Sequence, residues 1–457
     1  MIEAIRRILS IPELKMKMII TALLLIVCRI GAYIPVPGIN GDVAVRLFQF
    51  ATGGGQNLFQ LFDIFSGGAF AKMTVLALGV VPYISASIVM NILVVLVPSL
   101  QREIRESPDQ GKRKLSKWTR VATLLIALFQ SGLFAKYVIG VNRSNPGIIV
   151  PEVFDIQLFG IPILFSLIVM VTMTAGSLFL MWVGEQITEK GIGNGISLII
   201  ALGILSSFPS MIGSIVQQLG LDSQDQGRLS FMMLFVLAIL FVSIIVGTIL
   251  IVQGQRRIPL QYARRIVGRH EVQGGTSHIP LKINYAGVIP VIFASQFLML
   301  PASAAQFLGV KNNWFAKLAS YLSPGSSVYL VLYVLMIIAF TYFWTATQFK
   351  PEQIASDMKK NGAFIPGIRQ GKPTQDFLEQ TMSRITFAGA LFLALIAVLP
   401  TLVGRFLQID PNISQFFGGT SLLILVGVML DTTKQIESHL LMKRYEGFMT
   451  RGKLRGR

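Results

Sequence analysis

Apolar residues fall into ten long blocks, at about 16–34, 74–97, 118–140, 160–184, 192–212, 229–252, 284–307, 327–349, 378–400 and 412–433, with polar stretches between them. A helix needs ~20 mostly apolar residues to cross a ~30 Å hydrocarbon core. The pattern therefore predicts an all-α membrane protein with ten spans. Because ten is even, both termini lie on one side. The divisions that follow are a mixed amphipathic start (1–15), a half with spans 1–5 (16–212), a half with spans 6–10 (213–433) and a basic tail (434–457). Long polar loops, 253–283 and 350–377, interrupt the second half. The apolar segment 61–72, LFDIFSGGAFAK, is too short to span at ~1.5 Å per helical residue, and Gly67 and Gly68 weaken any helix there. It reads either as an amphipathic helix in the interface or as a re-entrant element, which must be surrounded by protein or a water-filled cavity.

Composition narrows the class. The chain has 457 residues, of which 53% are hydrophobic and 14% charged, and a mean hydropathy of +0.65. A soluble chain carries about 25% charged residues, so soluble multidomain and disordered readings fall away. Lys and Arg number 40 against 22 Asp and Glu, a formal charge of +18. Of these 40, the N-terminus, the loops after spans 2, 4, 6 and 8, and the C-terminal tail hold 31, the opposite side holds 8, and Arg29 lies inside span 1. The excess of basic residues predicts cytoplasmic termini. Near the outer end of its span, Arg29 can extend its head towards water.

Enzymatic signatures are absent from the sequence. There is no GxxxxGK[ST] string for a nucleotide, and GIGNG at 191–195 opens an apolar block and follows no strand. Cys28 has no second cysteine to pair with, and His270, His278 and His439 lack metal-ligand spacing. The expectation is a non-enzyme without cofactor or metal, drawing its energy from partners. The start, Met1 to Lys17, does not fit a cleavable signal peptide.

Two strings recur between the halves. GVVPYISAS at 79–87 matches GVIPVIFAS at 287–295 in six of nine positions, and GISLII at 195–200 matches GTSLLI at 419–424 more weakly. Each pair lies five spans apart. An odd offset inverts the second half relative to the first, and inverted repeats place a path at their interface. Both alignments match isoleucine to isoleucine, Ile84 to Ile292 and Ile200 to Ile424. Ile88 and Ile196 lie four residues from their neighbours and share a helix face with them. Six side chains, Ile84, Ile88, Ile196, Ile200, Ile292 and Ile424, can thus face one axis, although any single isoleucine in a span commonly faces lipid. Pro82 and Pro290 each remove a helix hydrogen bond and can kink spans 2 and 7. Asn91, seven after Ile84, extends the same stripe and suits a hydrogen bond between helices.

RIGAYIPVPGI (29–39), LFDIFSGGAF (61–70), LGVVPYISASI (78–88), GEQITEKGIGNGIS (184–197), AGVIPVIFAS (286–295), GAFIPGIRQG (362–371) and FGGTSLLI (417–424) together resemble the bacterial SecY family, from the first span to the tenth. The resemblance implies a clam-shell of two inverted five-helix halves around an hourglass pore. It implies that the six isoleucines close the waist, and that 61–72, with Phe62, Phe65, Ser66, Gly67 and Gly68, is a plug. Spans 2 and 7, with Pro82, Pro290 and Asn91, become a lateral gate to lipid for signal sequences. The function implied is a protein-conducting channel in the bacterial inner membrane that passes nascent and secretory polypeptides, with the small subunits SecE and SecG as partners. The basic loops would dock the SecA motor and ribosomes, including ribosomal RNA, with Arg369 as the key residue and Arg264 and Arg265 at the other loop's tip. Positive-inside bias alone explains most of that charge. A secondary transporter of a small solute is the alternative, because inverted repeats also build those.

Overall fold

The computed structural model describes residues 11–41, 43–46, 58–144, 146–154, 157–158, 161–218, 231–262, 265–267, 270–272, 275–307, 317, 321–323, 326–407 and 419–452. Helices dominate these residues: α1 (Pro12–Gly31), α2 (Leu58–Ser66), α3 (Val81–Leu96), α4 (Pro98–Glu106), α5 (Pro108–Ser144), α6 (Ile163–Lys190) and α7 (Gly195–Ser206) come first. Next are α8 (Phe208–Gln218), α9 (Phe231–Gln253), α10 (Ile289–Phe307), α11 (Ser327–Gln348), α12 (Pro351–Lys360), α13 (Lys372–Phe406) and α14 (Gly419–Gly452). Among them α5, α6, α9, α11 with α12, and α13 are long and apolar enough to cross a membrane, and the bent pair α3 and α4 makes a sixth if counted as one span. The bend, 97°, has a local cause. Val97 precedes Pro98 and is extended (φ −104°, ψ 102°), because a following proline disfavours the helical region.

Three sequence expectations change. Span 5 is not one helix of 192–212: α7 starts at Gly195 with the Asn194 side chain accepting from the Ser197 N–H, and the chain breaks at Ser207 before α8. Spans 2 and 7 start later than predicted, at Val81 and Ile289. Pro82 and Pro290 are therefore each the second residue of a helix. In a first turn the missing N–H is an orphan anyway, so these prolines initiate their helices and do not kink them.

The third change concerns the loops. An all-α chain was expected, yet 253–283 and 350–377 build a small sheet. Strand β1 (Gln255–Tyr262) pairs antiparallel with β4 (Thr276–Lys282), Gln255 opposite Lys282 and Gln261 opposite Thr276. β5 (Ala363–Phe364) adds to the other edge of β1, Gln261 opposite Phe364. Between them β2 (Arg265–Val267) pairs with β3 (His270–Val272). Ile258, Leu260, Leu281, Phe349, Met358, Ala363, Ile365, Leu378 and Met382 form the sheet's own apolar cluster. The two loops are thus one packed unit.

The main core is a single apolar cluster drawn from both halves. Glycines let its helices approach closely. A Cβ on Gly195 would lie 2.0 Å from the Gly184 carbonyl oxygen, and one on Gly176 would lie 2.2 Å from that of Val75. α3 packs on α5 and α10, and α7 packs on α2, α6 and α14; α10 also touches α2 and α5, so several helix contacts cross between the halves.

Candidate functional site

The repeat read from the sequence is visible in the backbone. Gly79 and Gly287 both adopt left-handed φ, 59° and 61°, and each is followed by the first turn of its helix. Only glycine takes this conformation without strain. The next turn repeats too: the Ile84 N–H donates to the Val80 carbonyl and the Ile292 N–H to the Val288 carbonyl.

Five of the six isoleucines are buried in one cluster: Ile84 (5% exposed), Ile88 (3%), Ile200 (2%), Ile292 (5%) and Ile424 (0%). Ile196 is half-buried against the same cluster, its Cδ1 resting where a Cβ on Gly184 would be. The elements that carry them, α3, α7, α10 and α14, touch one another across the halves. Nothing ionisable enters this set. Apolar side chains of this kind offer neither charge nor hydrogen bond.

α2 packs on α7 and α10. Phe62 and Phe65 are buried, and the Phe62 ring stacks on Phe70 at 5.5 Å. Gly67 and Gly68 follow in left-handed conformation (φ 69° and 84°), turning the chain back on itself. The Asp63 Oδ1 accepts from the Ala71 N–H at 2.8 Å, and the Ser66 Oγ accepts from the Phe70 N–H at 3.0 Å. The segment is therefore a helix folded onto its own return strap, among protein side chains. Burial pushes the Asp63 carboxyl up to about 6, against the opposing effects of the Ala71 N–H, Lys72 and the Phe70 N–H.

Sequence reasoning missed how this element is held. The Arg29 Nη1 donates to the Gly67 carbonyl at 2.7 Å, so the guanidinium has a protein partner where extension towards water was expected. The Ser206 Oγ lies 3.2 Å from the same oxygen, with its one proton shared with the Gly203 carbonyl of its own helix at 2.7 Å. Gly203 lets α7 approach, since a Cβ there would meet the Phe65 carbonyl oxygen at 2.6 Å. Asn91 also differs from expectation: its Nδ2 donates to the Ser87 Oγ of its own helix at 3.3 Å. Gln296 on α10 and Gln130 on α5 are buried without side-chain hydrogen-bond partners among the described residues. Polar residues inside apolar runs were the available signal for both.

Arg369 is exposed on a turn fixed from both sides. The Thr374 Oγ1 donates to the Arg369 carbonyl at 2.7 Å, and the Gln370 Nε2 donates to the Ala363 carbonyl at 3.1 Å. Arg256 and Arg257, on β1, are exposed as well. Arg265 opens β2, and Arg264 lies outside the described residues.

The SecY family pattern matches residues 74–433. A protein translocase subunit SecY of Chlamydia muridarum is 60% identical over 453 residues, covering 99% of each chain. Among solved structures, a protein-conducting channel superposes with a TM-score of 0.63 at 19% identity, covering 93% of this chain and 92% of that one. Sec61 in the canine ribosome-channel complex from the endoplasmic reticulum gives 0.59 at 17% identity, with 93% and 92% covered. With a match to the family over most of its length and a relative this similar from end to end, the chain belongs to the SecY family.

Proposed function

We propose that this chain is the protein-conducting channel subunit of a bacterial translocase, passing unfolded polypeptides across the inner membrane and releasing apolar segments sideways into lipid. One observation supports this reading: isoleucines matched by the internal repeat are buried in the main apolar core, on helices that touch across the two halves, with α2 packed on two of those helices. A narrow apolar collar dewets, so an ion meets a desolvation barrier when no chain is present. It makes no lasting bond with a moving polypeptide of any composition. Six β-branched side chains, Ile84, Ile88, Ile196, Ile200, Ile292 and Ile424, form the ring in this reading. The segment 61–72 is the plug.

Ten spans in two inverted halves extend the five helices, or six with the bent pair, that are long and apolar enough to cross among the described residues, and cytoplasmic termini follow the distribution of Lys and Arg. The contact of α3 with α10 is the lateral gate, and the glycine turns ahead of Pro82 and Pro290 are its pivots. Asn91 holds to Ser87 on one side of it. The sheet of β1, β4 and β5, with Arg265 in the adjoining hairpin and Arg369 nearby, is the docking face for the ribosome and the SecA motor; Arg264 belongs to the same loop by sequence. The channel of the canine complex is bound to a ribosome, and arginine suits the phosphates of ribosomal RNA. SecE and SecG complete the assembly, and signal sequences and nascent chains are its cargo.

The test is reconstitution of the full chain with its small partner subunits, the motor ATPase and a secretory precursor. Protection of the precursor inside vesicles, dependent on ATP, is expected. Accumulation of a small solute along an ion gradient, with no precursor movement, would establish a transporter in its place.

A further inference from the structure

α2 and its return strap form one unit through their own bonds, Asp63 to the Ala71 N–H, Ser66 to the Phe70 N–H, and the stacked Phe62 and Phe70. The strap's far end is pinned to the exit of α1. The Val36 N–H donates to the Met73 carbonyl at 3.1 Å and the Val75 N–H to the Ile34 carbonyl at 3.0 Å. Among the described residues, α2 itself is held largely by packing: Phe62 and Phe65 in the core, and the Phe65 backbone against Gly203. Apolar packing has no preferred direction, so it lets an element slide. Directional bonds must set the seat.

Among the described residues, the Arg29 Nη1 and the Ser206 Oγ, the latter sharing its proton with the Gly203 carbonyl, reach this unit from the surrounding helices, and both meet one atom, the Gly67 carbonyl oxygen. Arg29 comes from α1 and Ser206 from the end of α7. A carbonyl at a helix C-terminus carries partial negative charge, and a guanidinium is its strongest side-chain partner. The Arg29 fork is itself aimed. Its Nη2 donates to the Tyr33 hydroxyl at 2.9 Å, and its carbon lies 4.8 Å from the centre of the Tyr33 ring. The Tyr33 ring also carries Lys72 of the strap, whose Nζ lies 3.8 Å from the ring centre. Gly67 is required because a Cβ there would stand 2.6 Å from the Ser206 Oγ and 3.3 Å from the Arg29 Nη1.

We propose that Arg29 is a positioning residue that latches the plug by holding the Gly67 carbonyl, with Tyr33 aiming it and Ser206 as a second, weaker catch. The inference rests on reading 61–72 as the plug. Release of this oxygen frees α2 while the strap stays pinned at residues 73–75, so the plug swings and is not lost.

The experiment uses the full chain with its partner subunits in lipid vesicles, in a Cys28→Ala, Ile64→Cys background. The rate at which a membrane-impermeant maleimide labels position 64 from the outer side reports unseating. Arg29→Met is expected to raise the rate about tenfold, the order set by loss of a charged hydrogen bond. Arg29→Lys, a point charge without the fork, recovers part of the difference. Ser206→Ala and Tyr33→Phe raise the rate about two- to threefold, and they keep the test open if Arg29→Met does not assemble. An unchanged rate in Arg29→Met, or in both milder variants if it does not assemble, overturns the latch. Resting ion conductance is measured in parallel and judges the plug itself. Faster labelling with no added conductance upholds the latch and overturns sealing by α2. Unchanged labelling overturns the latch and leaves sealing by α2 untouched.

Discussion

At the scale of single residues, Ile292 and Ile424 contribute apolar surface and nothing else, at 5% and 0% exposure. In the proposed ring, an asparagine at either place brings an amide that binds water. Ile292→Asn and Ile424→Asn are each expected to raise resting ion conductance at least severalfold in planar bilayers, and a wild-type seal in both would count against the ring. Asp63 gives the second test. Its carboxyl is raised by burial from 3.8 to about 6 when α2 is seated. The protonated form is thus favoured in the seated state. Its contribution to seating is full below about pH 4 and is lost as pH rises through about 6. Labelling of the plug should accelerate between about pH 5 and about pH 7.5, and Asp63→Asn should flatten that step.

At the scale of elements, close approach depends on hydrogen in place of a side chain. Gly195 faces the Gly184 carbonyl and Gly176 faces the Val75 carbonyl, at separations no real Cβ tolerates. Backbone cannot yield as a side-chain end can. Gly195→Ala and Gly176→Ala are expected to destabilise the fold by about 1–3 kcal/mol, the usual cost of overpacking. A lowered midpoint of thermal unfolding in detergent would register it. Gly247, whose nearest neighbour is the Ile396 Cδ1 at 3.1 Å, is the contrasting site. That flexible tip can move, so Gly247→Ala should change the midpoint little.

At the scale of the whole molecule, exposed arginines gather on the unit built from the two long loops. The arginines of β1 and the Arg369 turn belong to this one packed unit. A rigid platform presents its cations at fixed spacing, which suits a dense phosphate surface better than separate loops do. Arg369→Ala is expected to weaken ribosome binding and to reduce the slope of log affinity against log salt by about one. Binding by cosedimentation over a salt series measures it. An unchanged slope would remove Arg369 from the interface and leave topology as the reason for its charge.

Much was legible without coordinates because the bilayer is a demanding solvent. It forces apolar residues into long blocks, and each of the ten predicted blocks overlaps a helix. It also made the isoleucine matches readable, because the repeat GVVPYISAS and GVIPVIFAS carries its own turn, with Gly79 and Gly287 left-handed in both copies. Tertiary structure decided what depends on partners far apart in the chain. Arg29 meets the Gly67 carbonyl across 38 positions, and Ser206 reaches it across 139. The sheet was hidden because only Ile258 and Leu260 of β1 are buried, and β5, two residues long, comes from another loop. Local pattern records which solvent each side chain prefers. Which polar groups find each other is fixed only when the helices pack, because a hydrogen bond depends on distances that no stretch of sequence contains.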